Sequence, residues 1–239
     1  MAHDGTVGAR RLPSLPDVPP PVDGLACSVF EPAGPPRGLL LVLHGAGSRR
    51  DGHFAFARAG QAGGLRAVVP DLRGHGDSTG ALGRGALEDV ATLAGHFGGE
   101  ELPVVLRGSS LGGWLALASA ARVGAAAVIA ICPASGEGLR RGLARGGWDG
   151  MRADVEGLDG LLAVVDLERA ASGLGERLLL VHAQGDDVVP IAVTRTLHAA
   201  APGSKLIEVP GGDHRSAQHD AELQGVSLRW ARRLLDRQP

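Results

Sequence analysis

Val104-Val105-Leu106-Arg107-Gly108-Ser109-Ser110-Leu111-Gly112-Gly113 is an apolar run that stops abruptly at a Gly-x-Ser-x-Gly and resumes as Trp114-Leu115-Ala116-Leu117-Ala118. The pattern reads as a strand feeding a tight turn from which a helix departs. A bare Gly-x-Ser-x-Gly is common by chance, but strand, turn and helix in that order form the setting in which a serine hydroxyl is held out from the end of a sheet. Gly108 and Gly112 remove the two Cβ atoms that would crowd such a strained turn. Ser110 is therefore the candidate nucleophile, and Ser109 beside it falls outside the register.

Other apolar runs surround this one. Residues 39–43 (Leu-Leu-Leu-Val-Leu) are apolar on every side chain, as a parallel strand covered on both faces requires. Residues 66–70, 125–132 and 178–182 read as further buried strands, and residues 25–30 as an outer strand. The alternating charges of Lys205-Leu206-Ile207-Glu208-Val209 predict a strand near the sheet edge. Helical patterns fall at residues 53–62, 86–97 and after Pro190. A closing helix places Leu223, Val226, Trp230 and Leu234 at three- and four-residue spacing. Strands alternating with helices predict a doubly wound, mostly parallel α/β sheet whose ligand site lies at the carboxyl ends of the strands.

With 239 residues the chain is expected to form one large domain (25–239) behind a Pro-rich extended arm (1–24). Residues 133–177 exceed an ordinary crossover and are expected to hold two short helices forming a small cap. A formal net charge of -2 gives no electrostatic reason for nucleic-acid binding. No run approaches the roughly twenty apolar residues that span a bilayer, and no signal-peptide core is visible, so a soluble cytoplasmic protein is expected. Cys27 and Cys132 read as small apolar residues in strands, in keeping with a reducing compartment.

Acyl transfer by a serine needs a base, an acid to orient that base, and donors for the oxyanion. His214, in Pro210-Gly211-Gly212-Asp213-His214, follows the last strand at the edge where Ser110 should also lie. The acid should follow the strand at 178–182, where Gly185-Asp186-Asp187-Val188-Val189-Pro190 supplies two carboxylates. Asp186 is preferred, Asp187 is the fallback, and either is able to cap a helix ahead of Pro190. Backbone N–H groups of Leu111 and of Ala46, in His44-Gly45-Ala46-Gly47, are the expected oxyanion donors.

These pieces, together with Asp71-Leu72-Arg73-Gly74-His75-Gly76-Asp77-Ser78, resemble the α/β-hydrolase superfamily over about residues 25–236, with five motifs in the family's order. The resemblance implies that the aspartate of Asp-x-x-Val-Pro, here Asp186, is the triad acid. It also implies a minimal cap, as in small esterase, thioesterase, dienelactone-hydrolase-like and peptidase-like members. The implied activity is hydrolysis of a small-molecule ester or thioester through an acyl-enzyme. Acyl transfer, peptidase-like hydrolysis or simple ligand binding on the same scaffold are the alternatives.

No metal or organic cofactor is implied: His and Cys lack ligand spacing, and Gly74-x-Gly76 lacks a dinucleotide-binding setting. His75 reads as loop-shaping and His182 as a packed histidine. Arg140, Arg141, Arg145 and Arg152 form either a solvated helix face or a steering patch for an anionic substrate. Arg107 is the discordant residue, a charge in a central strand that needs a partner or an outlet to solvent.

Overall fold

The computed structural model describes residues 15–237. The strands are β1 (Cys27–Phe30), β2 (Leu39–Leu43), β3 (Arg66–Pro70), β4 (Val104–Ser109), β5 (Ala127–Ile131), β6 (Leu178–Ala183) and β7 (Lys205–Val209). They form one sheet in the order β1-β3-β2-β4-β5-β6-β7. Only the β1–β3 pair is antiparallel. As expected from their composition, β2, β4, β5 and β6 are buried along their whole length, whereas β7 is the outermost strand and half-exposed.

Period-two alternation divides the buried side chains between the two faces. Leu39, Leu41, Val68, Leu106, Val128 and Leu180 meet helices α2 (Ala86–Gly98) and α3 (Leu111–Ser119). Leu40, Val42, Val105, Ile129 and Leu179 meet α1 (Phe54–Ala62) on the opposite face.

Residues 133–177 hold three helices rather than two: α4 (Gly136–Ala144), α5 (Val155–Val164) and α6 (Leu167–Leu174). Ser135, Asp154 and Asp166 each accept a hydrogen bond from the first turn of the helix they precede, so every one of these short helices has a side-chain N-cap. α7 (Ile191–Ala200) begins directly after Pro190, and neither aspartate before it caps the helix.

After the short α8 (Ser216–His219), the closing helix α9 (Ala221–Leu235) joins α1 on its face of the sheet. Its most buried residues are Gln224, Ser227, Leu228 and Ala231 rather than the larger apolar ones predicted. Leu223, Trp230 and Leu234 pack along the flanks. Leu228 and Ala231 thus supply the apolar centre of its contact with the sheet, and larger side chains fill the space beside it.

Of the Pro-rich arm, residues 1–14 lie outside the described residues. Its remainder lies against the edge strand, where Asp17 and Val29 exchange N–H···O bonds of 2.8 Å. Among the described residues no helix is long and apolar enough to cross a membrane.

Candidate active site

The chain passes from β2 out to β3 and then returns to β4 on the other side of β2, so the loops after β2 and β4 diverge and leave a crevice between them. Ser110 stands at the top of β4 with φ 54° and ψ −118°, a conformation that a non-glycine residue adopts only when its surroundings impose it. Three backbone bonds do so: Ser110 N–H to Ile131 O at 3.1 Å, and Ser110 O accepting from Trp114 N–H at 3.0 Å and Ala134 N–H at 3.1 Å. The flanking glycines are sterically required. A Cβ on Gly108 would collide with the Gly112 carbonyl, and one on Gly112 with the Leu43 carbonyl.

Asp186 follows β6 and His214 follows β7. His214 Nδ1 lies 2.7 Å from Asp186 Oδ2, and Oδ1 of the same carboxylate accepts from the N–H groups of Val188 at 2.9 Å and Val189 at 2.8 Å. Burial acts to raise the Asp186 pKa, but the His214 bond and these amide bonds outweigh it and hold the carboxyl below its ordinary range. Asp187 is exposed. His182, beneath this loop, pairs with Thr194 Oγ1 at 2.6 Å and Val189 O at 3.0 Å, and its Nε2 lies 3.4 Å from Asp186 Oδ2. It is packed, as expected, but what it packs against is the turn that carries Asp186.

Ser110 and His214 line one cavity of about 440 Å³, together with Gly45, Ala46 and Gly47. Among the described residues no hydrogen bond joins the Ser110 hydroxyl to His214, and the Ala46 and Leu111 N–H groups make no backbone hydrogen bond. The glycine loop is tied down by histidines. Gly47 N–H donates to His75 Nε2 at 3.1 Å, and Leu72 N–H donates to His44 Nε2 at 3.0 Å. Both rings are buried and sit 4.8 Å apart, and each uses Nε2 as an acceptor, which requires the neutral form. Burial accordingly lowers the pKa of both, His44 to about 4.

Sequence reasoning did not anticipate several lining residues: Ser48, Trp148, Val188, Arg215, Gln218 and His219. Two of them had a usable signal, since Arg215 adjoins His214 and Trp148 is the sole tryptophan of residues 133–177. The arginines of that segment line none of the cavity. Arg140 pairs with Asp159 at 2.8 Å, Arg141 with Glu137, and Arg152 donates to Ser78 O at 2.9 Å.

Among the described residues Arg107 finds neither a carboxylate partner nor an outlet to solvent. It is fully buried, with Nη1 3.0 Å from His53 Nδ1, Nη2 donating to Gln218 O at 3.3 Å, and its guanidinium 5.0 Å from the centre of the Phe56 ring. Burial lowers its pKa to about 9, still leaving it charged near neutrality. The same charge, after burial itself, pushes the His53 ring down to about 2.

Both cysteines are free and buried. Cys132 lies just past β5 at φ 44°, and Cys132, Asp186 and His214 bring donor atoms within 4.8 Å of one another. Two of these donors are already committed to each other. Burial pushes the Cys132 thiol up to about 12.

Residues 40–166 match the profile of the alpha/beta hydrolase family. Human monoglyceride lipase is 35% identical over 128 residues, which cover 47% of this chain and 42% of the lipase. The chain thus spans less than half the length of the curated relatives it matches. Among solved structures, a serine hydrolase without lid from Xanthomonas campestris superposes with a TM-score of 0.68 at 21% identity, covering 95% of this chain and 99% of the other. The esterase domain of a Rhodothermus marinus protein gives a TM-score of 0.71 at 24% identity, covering 87% and 92%.

Proposed function

The chain belongs to the alpha/beta hydrolase family, and from that premise we propose that it is a serine hydrolase cleaving a carboxylic ester or thioester through an acyl-enzyme on Ser110. The observation that carries this reading is the 2.7 Å contact of His214 Nδ1 with a buried Asp186, on a ring that shares one cavity with the strained Ser110.

Asp186 accepts the Nδ1 proton and so holds His214 in the tautomer whose Nε2 is free to take a proton. The Ser110 hydroxyl attacks the acyl carbon as its proton passes to Nε2. The oxyanion that forms is met by the N–H groups of Ala46 and Leu111, the second at the start of α3 where the helix dipole adds to the attraction. Collapse expels the alcohol or thiol, which takes its proton from His214. Water then attacks the acyl-enzyme by the same route in reverse. The serine-to-histidine hydrogen bond is of the kind that commonly tightens only when substrate fills the site.

Residues 133–177 act in this reading as a short cap whose Trp148 supplies an apolar wall, with residues 25–239 as one hydrolase domain. The free cysteines suit a reducing cytoplasm.

A fluorophosphonate probe should label the protein at Ser110 and leave Ser110→Ala unlabelled. Ester turnover by that variant should fall by about 10⁴-fold or more with folding intact. Equal labelling of both proteins would overturn the reading.

A further inference from the structure

One corner of the cavity has a chemical character that the hydrolytic machinery leaves unexplained. Ser48, Ser109, Arg215, Gln218 and His219 line it, and no carboxylate is among the residues lining the cavity. Arg215 forms no salt bridge among the described residues. The neighbouring Asp213 spends Oδ1 on the backbone N–H groups of Arg215 and Ser216, at 2.8 Å each.

Directly behind this wall lies Arg107. Its guanidinium is wholly buried, meets no carboxylate among the described residues, leaves Nε without a partner and holds the carbonyl of Gln218. A buried cation without a counter-charge is costly to maintain. Its field acts on the cavity wall, where the His219 ring is held below its ordinary range by burial and then by Arg107 and Arg215. The cavity wall beside the nucleophile thus carries Ser48, Gln218, His219 and an arginine without a salt bridge among the described residues, in front of a buried positive charge.

We propose that this corner is a subsite for an anionic oxyacid group, a carboxylate or phosphate, borne by the substrate close to the bond that is cleaved. The inference deepens the hydrolase reading and rests on it for the identity of that bond. Arg215 offers a planar fork that matches two oxygens of such a group, Ser48 offers a hydroxyl donor, and Arg107 contributes long-range attraction without contact.

The test uses Ser110→Ala in the full chain, so that ligands are bound without turnover. Calorimetric titration compares monomethyl glutarate, methyl 4-phosphonobutanoate and the neutral dimethyl glutarate at low and high salt. The expected result is that at least one anionic ester binds about tenfold or more tightly than the neutral one, a preference that shrinks as salt rises. The tighter of the two anions distinguishes carboxylate from phosphate. Adding Arg215→Gln should remove most of the preference, and circular dichroism should report unchanged folding for this exposed position. Equal affinities for neutral and anionic esters, no binding of any of the three, or a preference indifferent to Arg215→Gln each overturns the subsite. Fluorophosphonate labelling of the unsubstituted protein reads the hydrolase proposal separately. Labelling without anion preference sinks only the subsite, and anion preference without labelling sinks only the hydrolase reading.

Discussion

Ser110 is held at φ 54° by backbone bonds from three directions, and its neighbours Gly108 and Gly112 owe their identity to that strain. Gly112→Ala would drive a methyl group into the Leu43 carbonyl, where no flexible side chain is able to yield. The expected cost is about 3 kcal/mol or more, read as a lower midpoint in urea denaturation. This part of the site was legible in advance because a strained turn restricts residue type over a short span. Arg107 shows the opposite case. The sequence exposes a charge in a central strand, yet its surroundings come from Phe56, His53 and Gln218, as many as 111 positions away, and no local pattern reports that.

At the scale of elements, the strands were the most readable parts, because burial on both faces demands continuous apolar runs. Residues 133–177 were harder. Three short helices with separate caps, rich in glycine, give weak periodicity, and their assembly depends on tertiary packing, α6 against α3 and α7, and α4 against α5. This segment brings Trp148 against Gly142 on one side and the cavity on the other. Trp148→Ala is expected to enlarge the cavity and to shift preference toward longer acyl chains, which kcat/KM across a p-nitrophenyl ester series would show; an unchanged profile would remove Trp148 from the acyl wall. The closing helix α9 is started by Asp220, whose carboxylate accepts from Leu223 N–H at 2.8 Å. Asp220→Ala should cost about 1 kcal/mol in the same denaturation assay.

Across the whole molecule, the loops at the carboxyl end of the sheet are tied together by buried neutral histidines, and this has a consequence for acid stability. The His44 pKa is lowered to about 4 and that of His53 to about 2, both chiefly by burial, whereas in the unfolded chain each titrates near ~6.5. Below that value the unfolded state binds more protons. The stability these groups contribute is therefore complete above about pH 6.5 and drains away as pH falls toward their folded values. His44 alone accounts for about 3 kcal/mol of that loss. Unfolding free energies measured between about pH 7 and about pH 4.5 should fall steeply; a flat profile would mean these rings are protonated in the native state.

The order of strands, the strained serine and the position of a histidine after the last strand were all carried by local sequence, because each depends on periodicity or steric demand within a few residues. Choosing between Asp186 and Asp187 needed more than spacing, and in the fold the distinction is physical: Asp186 turns inward to His214 and to two backbone amides, while Asp187 remains exposed. The cavity's positive corner belongs wholly to the tertiary level. Ser48, Ser109, Arg215, Gln218 and His219 come from the ends of three strands. Their shared environment exists only once a parallel sheet has brought those carboxyl ends to one side, over an arginine that folding has cut off from water.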